Sequence, residues 1–303
     1  MFLPSLFYAV SYHKISDGRD VYSTIVSTSL SHLHVRDFCQ DSLGYMWIAT
    51  ARGLNRYNGY DFKQFFHDKD DEQSLNNDMI YSLFLDSRHR LWIGTSTGLN
   101  RFDFRSEKFI RYEMPEMFIH TFYEDKDGCI WVGAYSNIGK INEQELSVEI
   151  LTDTQFRFDG ISALTEDSRG KIWAGTSMGL VHVHHDDQWS LLSLPDERRV
   201  NCICPDPQGV FMIGTNSGIV IFDPLTNKFL DLPIPLSSNK ILDNANVHFI
   251  REISTLKFLI GTSADGLFLY DVLRQTLEQN PPDYSDVLDS QQPLCCKIDN
   301  QDN

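Results

Sequence analysis

Five aspartates, Asp41, Asp86, Asp125, Asp167 and Asp206, each stand six residues ahead of a large apolar residue: Trp47, Trp92, Trp131, Trp173 and Met212. Carboxylates can act as general acids and bases, so a repeated set invites a catalytic reading. A catalytic set has no need to recur five times at one spacing, however. An aspartate that opens a tight turn does, because its side chain accepts the amide two residues on. The five are therefore read as turn makers. His182, His184 and His185 offer imidazoles that could share an ion from one side of a strand, but no carboxylate or third ligand is fixed at a compatible place, which leaves a polar strand surface. The run Asp68-Lys69-Asp70-Asp71-Glu72 lacks the ligand order and central glycine of a calcium loop. Cys202 with Cys204, and Cys295 with Cys296, lack the two spaced pairs of a zinc site and read as free thiols. Cys39 and Cys204 each stand eight residues before an anchor, hence in equivalent strands of different repeats, too far apart for a disulfide. No nucleophile elbow, P-loop or glycine-rich dinucleotide motif occurs. The expectation is no catalytic residue, no metal and no cofactor.

What must position these residues is a repeat. The anchors Trp47, Trp92, Trp131, Trp173, Met212 and Leu259 lie 45, 39, 42, 39 and 47 residues apart. Self-similarity at that period marks a repeat architecture. In the second repeat, Ile80 to Leu85, Leu91 to Thr95, Leu99 to Phe102 and Phe109 to Tyr112 read as four strands, so each repeat is a four-stranded antiparallel meander. The first turn carries glycine three residues after its aspartate, at Gly44, Gly128, Gly170 and Gly209, where positive φ is wanted; His89 replaces it once. The second turn asks for positive φ again and has Gly53, Gly98, Gly179, Gly218 and Gly266, with Asn137 in the third repeat. Small residues two after each anchor, Ala49, Gly94, Gly133, Gly175, Gly214 and Gly261, mark a close approach of neighbours. Apolar anchors with apolar flanks mean sheets covered on both faces. Four-stranded sheets covered by copies of themselves pack as a β-propeller. The predicted fold is all-β, with six complete blades and an incomplete seventh at 284–303.

Composition narrows the function. The chain has 303 residues, 42% of them hydrophobic, and a net charge of −16, with a pI near 4.9. Such a charge argues against nucleic acid or an anionic membrane as partner. No run of eighteen apolar residues exists to span a bilayer. Residues 1–20 form an N-terminal segment whose apolar start, Met1 to Val10, has the outline of an export signal without its basic end. The propeller is assigned to 21–303. Tyr22 to Val26 is expected to be the outermost strand of the last blade, closing the ring.

The stretch Leu91-Trp92-Ile93-Gly94-Thr95, continuing through Gly98-Leu99-Asn100-Arg101-Phe102-Asp103, resembles the two-component regulator propeller repeat. Gly53 to Phe62 is similar to that family's first repeat, and Gln73-Ser74-Leu75-Asn76-Asn77 to its lead-in to the second. The resemblance covers about residues 21 to 303. It implies a sensor module of a bacterial hybrid two-component system, periplasmic, responsive to glycan fragments, and not an enzyme. Its partners would be an oligosaccharide and the remaining sensor-kinase modules. No kinase or DNA-binding module is present in this sequence. A propeller-scaffold enzyme, such as a polysaccharide or lactone-ring lyase, and a protein-interaction propeller are the alternatives.

The resemblance brings no residue-level ligand motif, so candidates are placed by loop position. Turns between second and third strands carry Arg52, Tyr135, Asn137, Met178, Asn216 and Asp265. Loops between blades carry Asn76, Asn77, Arg157, Phe158, Arg198 and Arg199. Aromatic faces can stack on sugar rings, and Asn, Asp and Arg can satisfy hydroxyls or carboxylates.

Overall fold

The computed structural model describes residues 9–14, 20–25, 30–115, 117–135, 137–151, 160–183, 189–233 and 240–281. Strands β1 (Ala9–Lys14) and β2 (Asp20–Ile25) form a two-stranded antiparallel sheet. The strand expected near Tyr22 thus exists and pairs with β1; among the described residues it pairs with no blade. A hairpin is the shorter route, since the two strands are separated by only a brief connection.

Six four-stranded sheets follow, each a meander. The first holds β3 (Val35–Gln40), β4 (Met46–Thr50), β5 (Leu54–Tyr57) and β6 (Phe62–Phe65). The second holds β7 (Ile80–Leu85), β8 (Leu91–Thr95), β9 (Leu99–Asp103) and β10 (Lys108–Tyr112). These limits lie within one residue of those read from the sequence. The third holds β11 (Ile119–Glu124), β12 (Ile130–Ala134), β13 (Ile138–Asn142) and β14 (Ser147–Leu151). Then come β15 (Ile161–Glu166), β16 (Ile172–Thr176), β17 (Gly179–Val183) and β18 (Trp189–Leu192). The fifth sheet is β19 (Val200–Pro205), β20 (Phe211–Thr215), β21 (Gly218–Asp223) and β22 (Lys228–Leu230). The sixth is β23 (Val247–Ser254), β24 (Lys257–Thr262), β25 (Leu267–Asp271) and β26 (Thr276–Gln279). Among the described residues the one helical piece is a 3-10 turn at Pro195–Glu197. These sheets are the blades of a β-propeller fold. The expected seventh blade, 284–303, lies outside the described residues, as do the side chains of His182, His184 and His185. No helix in the described residues is long and apolar enough to cross a membrane.

Contacts divide the chain into two compact units, one of residues up to His120 with Ile141–Glu149, the other of Thr121–Lys140 with the chain from Ile150. In the first, Trp47 is fully buried and packs on Phe65 of its own blade and on Phe102 of the next, with ring centroids 5.6 and 4.7 Å away. In the second, Trp173 meets Phe211 and Phe222 of the following blade at 6.0 and 5.2 Å. Trp47 and Trp173 therefore each join blade to blade.

Trp131 departs from the expectation that every tryptophan anchor is fully buried; it is only half-buried, against Ile161, Ile172 and Val181. Phe102 and Phe222 cap Trp47 and Trp173, with ring centroids 4.7 and 5.2 Å away. Lys140 lies along the Trp131 ring instead, 5.3 Å from its centroid.

The small residue two after the anchor is required by packing. A Cβ added at Gly94 would come 2.5 Å from Ser82 Oγ and 2.8 Å from Ile119 Cβ on the next blade's first strand, closer than atoms can approach. The turn chemistry also holds: His89 takes φ 59°, filling the left-handed position that Gly44, Gly128, Gly170 and Gly209 take elsewhere.

Candidate functional site

The recurring aspartates are fully engaged within the protein. Asp41 Oδ1 accepts the amides of Leu43 and Tyr45 at 2.9 and 3.0 Å, and its Oδ2 accepts the indole N–H of Trp47 at 2.8 Å. Asp86, Asp125 and Asp167 bind Trp92, Trp131 and Trp173 in the same way at 2.8, 2.7 and 3.0 Å. One carboxylate closes the turn and satisfies the buried indole that the anchor would otherwise strand. The threonine three after every anchor but Trp131, where Ala134 stands, completes the motif: Thr50 Oγ1 donates to Gly53 O at 2.8 Å and accepts Arg52 N–H at 3.1 Å. Thr176 and Thr215 do likewise with Gly179 and Gly218.

Cys129, Cys202 and Cys204 are free thiols, and burial pushes the Cys202 thiol up to about 12, far from a reactive thiolate. The carboxylates of Asp68 and Asp71 accept the amides of Asp70 and Gln73 at 2.9 Å each, and so cap their own loop.

The loop candidates fall into two kinds. Asn76 is a latch: its Oδ1 accepts from Thr95 Oγ1 at 2.8 Å and Asn100 Nδ2 at 2.6 Å. Asn77 accepts the Met79 amide at 2.9 Å, and Arg52 is exposed. Arg198, Arg199 and Asn216 are brought together: Asn216 Oδ1 accepts the Arg199 amide at 2.8 Å, and Arg198 Nη1 donates to Ser217 O at 2.7 Å. Tyr135 and Met178 are the exposed large side chains of the set, while Asn137 is half-buried. Asp265 O accepts Gln279 Nε2 at 3.0 Å. Arg157 and Phe158 lie outside the described residues.

A further row of residues stands at one place in every blade, eleven residues ahead of the anchor: Arg36, Tyr81, His120, Ser162, Asn201 and His248. In five blades a β-bulge between first and second strands falls here, between Val35 and Asp37, Ile80 and Ser82, Ile161 and Ala163, Val200 and Cys202, and Val247 and Phe249. A bulge leaves its extra residue out of the ladder and re-aims the side chain. Arg36 and Tyr81 meet the equivalent residue of the next blade, and Ser162 and Asn201 reach a carbonyl of its first strand. The signal in the sequence was the spacing alone, since the six residues share no chemistry.

In the first unit the row is cationic and aromatic. The Arg36 guanidinium lies 4.3 Å from the Tyr81 ring centroid, and the Tyr81 ring meets His120 edge-on at 4.9 Å. Phe118, 42% exposed, stands 5.6 Å from Tyr81. In the second unit the row is held by hydrogen bonds. Ser162 Oγ lies 2.7 Å from Val200 O, Asn201 Nδ2 donates to Asn246 Oδ1 at 2.8 Å and Val247 O at 2.9 Å, and His248 Nε2 pairs with Ser263 Oγ at 2.7 Å. Burial, then the charge of Arg36, holds His120 below the ordinary imidazole range; burial, then Arg199, does the same for His248.

The "Two component regulator propeller" family model matches residues 29–52, 74–97, 113–136 and 155–178, which are the first four repeats through their anchors. No curated protein matches the chain. Among solved structures, the extracellular domain of a protein described as a hybrid two component system, BT3049 of B. thetaiotaomicron, superposes with TM-score 0.69 at 21% identity over 82% of this chain and 35% of that one. The extracellular domain of a one component system from the same organism gives 0.55 at 20% identity, over 85% and 36%. This chain thus spans about a third of the length of those two domains. Virginiamycin B lyase of Staphylococcus aureus gives 0.65 at 12% identity, over 91% and 89%. At these identities the likenesses establish the propeller fold.

Proposed function

Because this chain is built of two-component regulator propeller repeats, we propose that it is the ligand-sensing propeller of a two-component regulatory system, working outside the cytoplasm, in the periplasm. The repeats at the four matched segments carry the reading. Its signal is an oligosaccharide, and its output needs the sensor-kinase modules with which such a propeller is joined. A ligand acts on such an assembly only through its differential affinity for two arrangements of it.

The lyase likeness favours an enzyme as the second reading. Acid–base chemistry asks for a base oriented by a partner. His248 is held by a serine hydroxyl, and among the described residues no carboxylate is bonded to His120 or His248. That pattern supports binding over turnover.

Thermal unfolding of the whole chain against a panel of neutral and acidic oligosaccharides tests the proposal. At a hundred times Kd a ligand adds about 2.7 kcal/mol, a shift of a few degrees in Tm. Product formation from any member of the panel would favour the enzyme, and a panel without a single shift would remove the sensor reading.

A further inference from the structure

The three residues of the first unit's row leave donors unmet on adjacent side chains, whereas Arg198, whose Nε is also buried without a partner, is held through Nη1 and Nη2. Among the described residues Arg36 has neither a hydrogen bond nor an ion pair, and its Nε is buried without an acceptor. The neighbouring Asp37 accepts the Phe38 and Leu83 amides through its two oxygens, at 2.9 and 2.8 Å. The Tyr81 hydroxyl reaches only the Met79 sulfur, 3.4 Å away, which is a weak acceptor. His120 makes no hydrogen bond among the described residues. Three adjacent side chains thus present donors without good acceptors, beside the exposed faces of Phe118 and Met79. Leaving such groups unpaired is unfavourable unless something else completes them.

What completes them must carry an anionic oxygen pair and an apolar face. A planar guanidinium already stacked on a ring is oriented to take a carboxylate through two parallel N–H bonds. Tyr81 and Phe118 then meet the C–H face of whatever bears that carboxylate. With a net charge of −16, the chain's long-range field disfavours an anion, so the attraction must be local. We propose that Arg36, Tyr81, His120 and Phe118 form a binding site for a sugar acid, with its carboxylate on Arg36 and Tyr81 and its ring on the aromatic faces. The proposal rests on the sensing function above and assigns it a site and a ligand class.

Calorimetric titration of the full chain with D-glucuronate and D-glucose tests it. Glucuronate should bind, glucose about ten-fold or more weakly, and Arg36→Gln should weaken glucuronate by about ten-fold. Tyr81→Ala should weaken both sugars, and Ser162→Ala, in the other row, neither. Should Arg36→Gln fail to fold, Arg36→Lys serves in its place: it keeps the charge but loses the planar fork, and should retain part of the binding. Equal affinity for the two sugars would overturn the carboxylate assignment. Glucuronate binding untouched by Arg36→Gln and Tyr81→Ala would place the site elsewhere and leave the sensing function standing. Failure of both sugars and of every neutral oligosaccharide would remove the two together.

Discussion

The same backbone device serves two ends in the two units. In five blades a bulge on the first strand leaves one residue out of the ladder, and in the second unit that residue is used up by the protein: Asn201 Nδ2 holds Asn246 and Val247 O, and Ser162 holds Val200 O. In the first unit the equivalent residues are Arg36, Tyr81 and His120, larger, stacked, and without good acceptors. One row fastens blade to blade, and the other is held in shape by ring contacts while its donors stay available. Sites that bind tend to be those where stability is not maximised.

This contrast has meaning only if the two units are otherwise equally well packed, and the anchors test that with the largest effects. Trp47→Ala and Trp173→Ala should each cost about 3–5 kcal/mol, as for other large aromatic truncations in cores. Each also strands a carboxylate, Asp41 or Asp167, that had satisfied the indole. Trp131→Ala, from a half-buried position, should cost clearly less. Urea unfolding midpoints measure all three. A small loss at Trp47 beside a large one at Trp173 would show a loosely packed first unit, and the open donors of Arg36 would then reflect poor packing and not a site.

Next in size are the rows themselves. Asn201→Ala removes two hydrogen bonds and leaves the Val247 carbonyl and the Asn246 side chain short of a donor, at about 1–3 kcal/mol. Arg36→Gln and Tyr81→Phe remove nothing the fold depends on and should stay within about 0.5 kcal/mol, the range of ordinary surface changes. The same denaturation series reads both. If Arg36→Gln costs as much as Asn201→Ala, both rows are structural and the difference between the units disappears.

The blades were legible because their chemistry repeats. Asp86, His89, Trp92, Thr95 and Gly98 each have counterparts at fixed spacing, so the strands β7 to β10 could be placed to within a residue, and His89 could be assigned its left-handed turn. The half-burial of Trp131 was not legible, since its spacing and turn chemistry match those of the fully buried anchors. Nor was the second task of the aspartates: Oδ1 serves the local turn, but the bond from Trp47 to Oδ2 exists only once the hairpin has closed. The row beginning at Arg36 escaped for the opposite reason to the one that made the blades visible. Arg, Tyr, His, Ser, Asn and His share a place and nothing else, and a reading that looks for recurrence passes over the position where recurrence stops. Loop position alone named Arg198, Arg199 and Asn216 in separate loops without showing that Asn216 holds the Arg199 amide, and could not tell that Asn76 is spent on Thr95 and Asn100.

The smallest expected effect is a pH dependence that separates the rows by their histidines. Burial and a nearby guanidinium depress both imidazoles, Arg36 acting on His120 and Arg199 on His248. The folded value lies below the unfolded one of about 6.5, so around that pH the unfolded chain binds more protons. Stability is therefore complete above about pH 6.5 and declines as pH falls through it, until the folded imidazoles protonate as well and the decline stops. His120→Gln should shrink the difference in urea midpoint between pH 7.5 and 5.5, and so should Arg36→Gln, by letting His120 titrate nearer its ordinary range. His248→Gln should shrink it independently, because its partners are Ser263 and Arg199. NMR titration of the imidazole protons separates the two sites: Arg36→Gln should move the His120 midpoint upward and leave that of His248 in place. A His120 midpoint that ignores Arg36→Gln would mean that the guanidinium is screened from the ring by water. The first unit's row would then be three separate side chains, not one preformed surface.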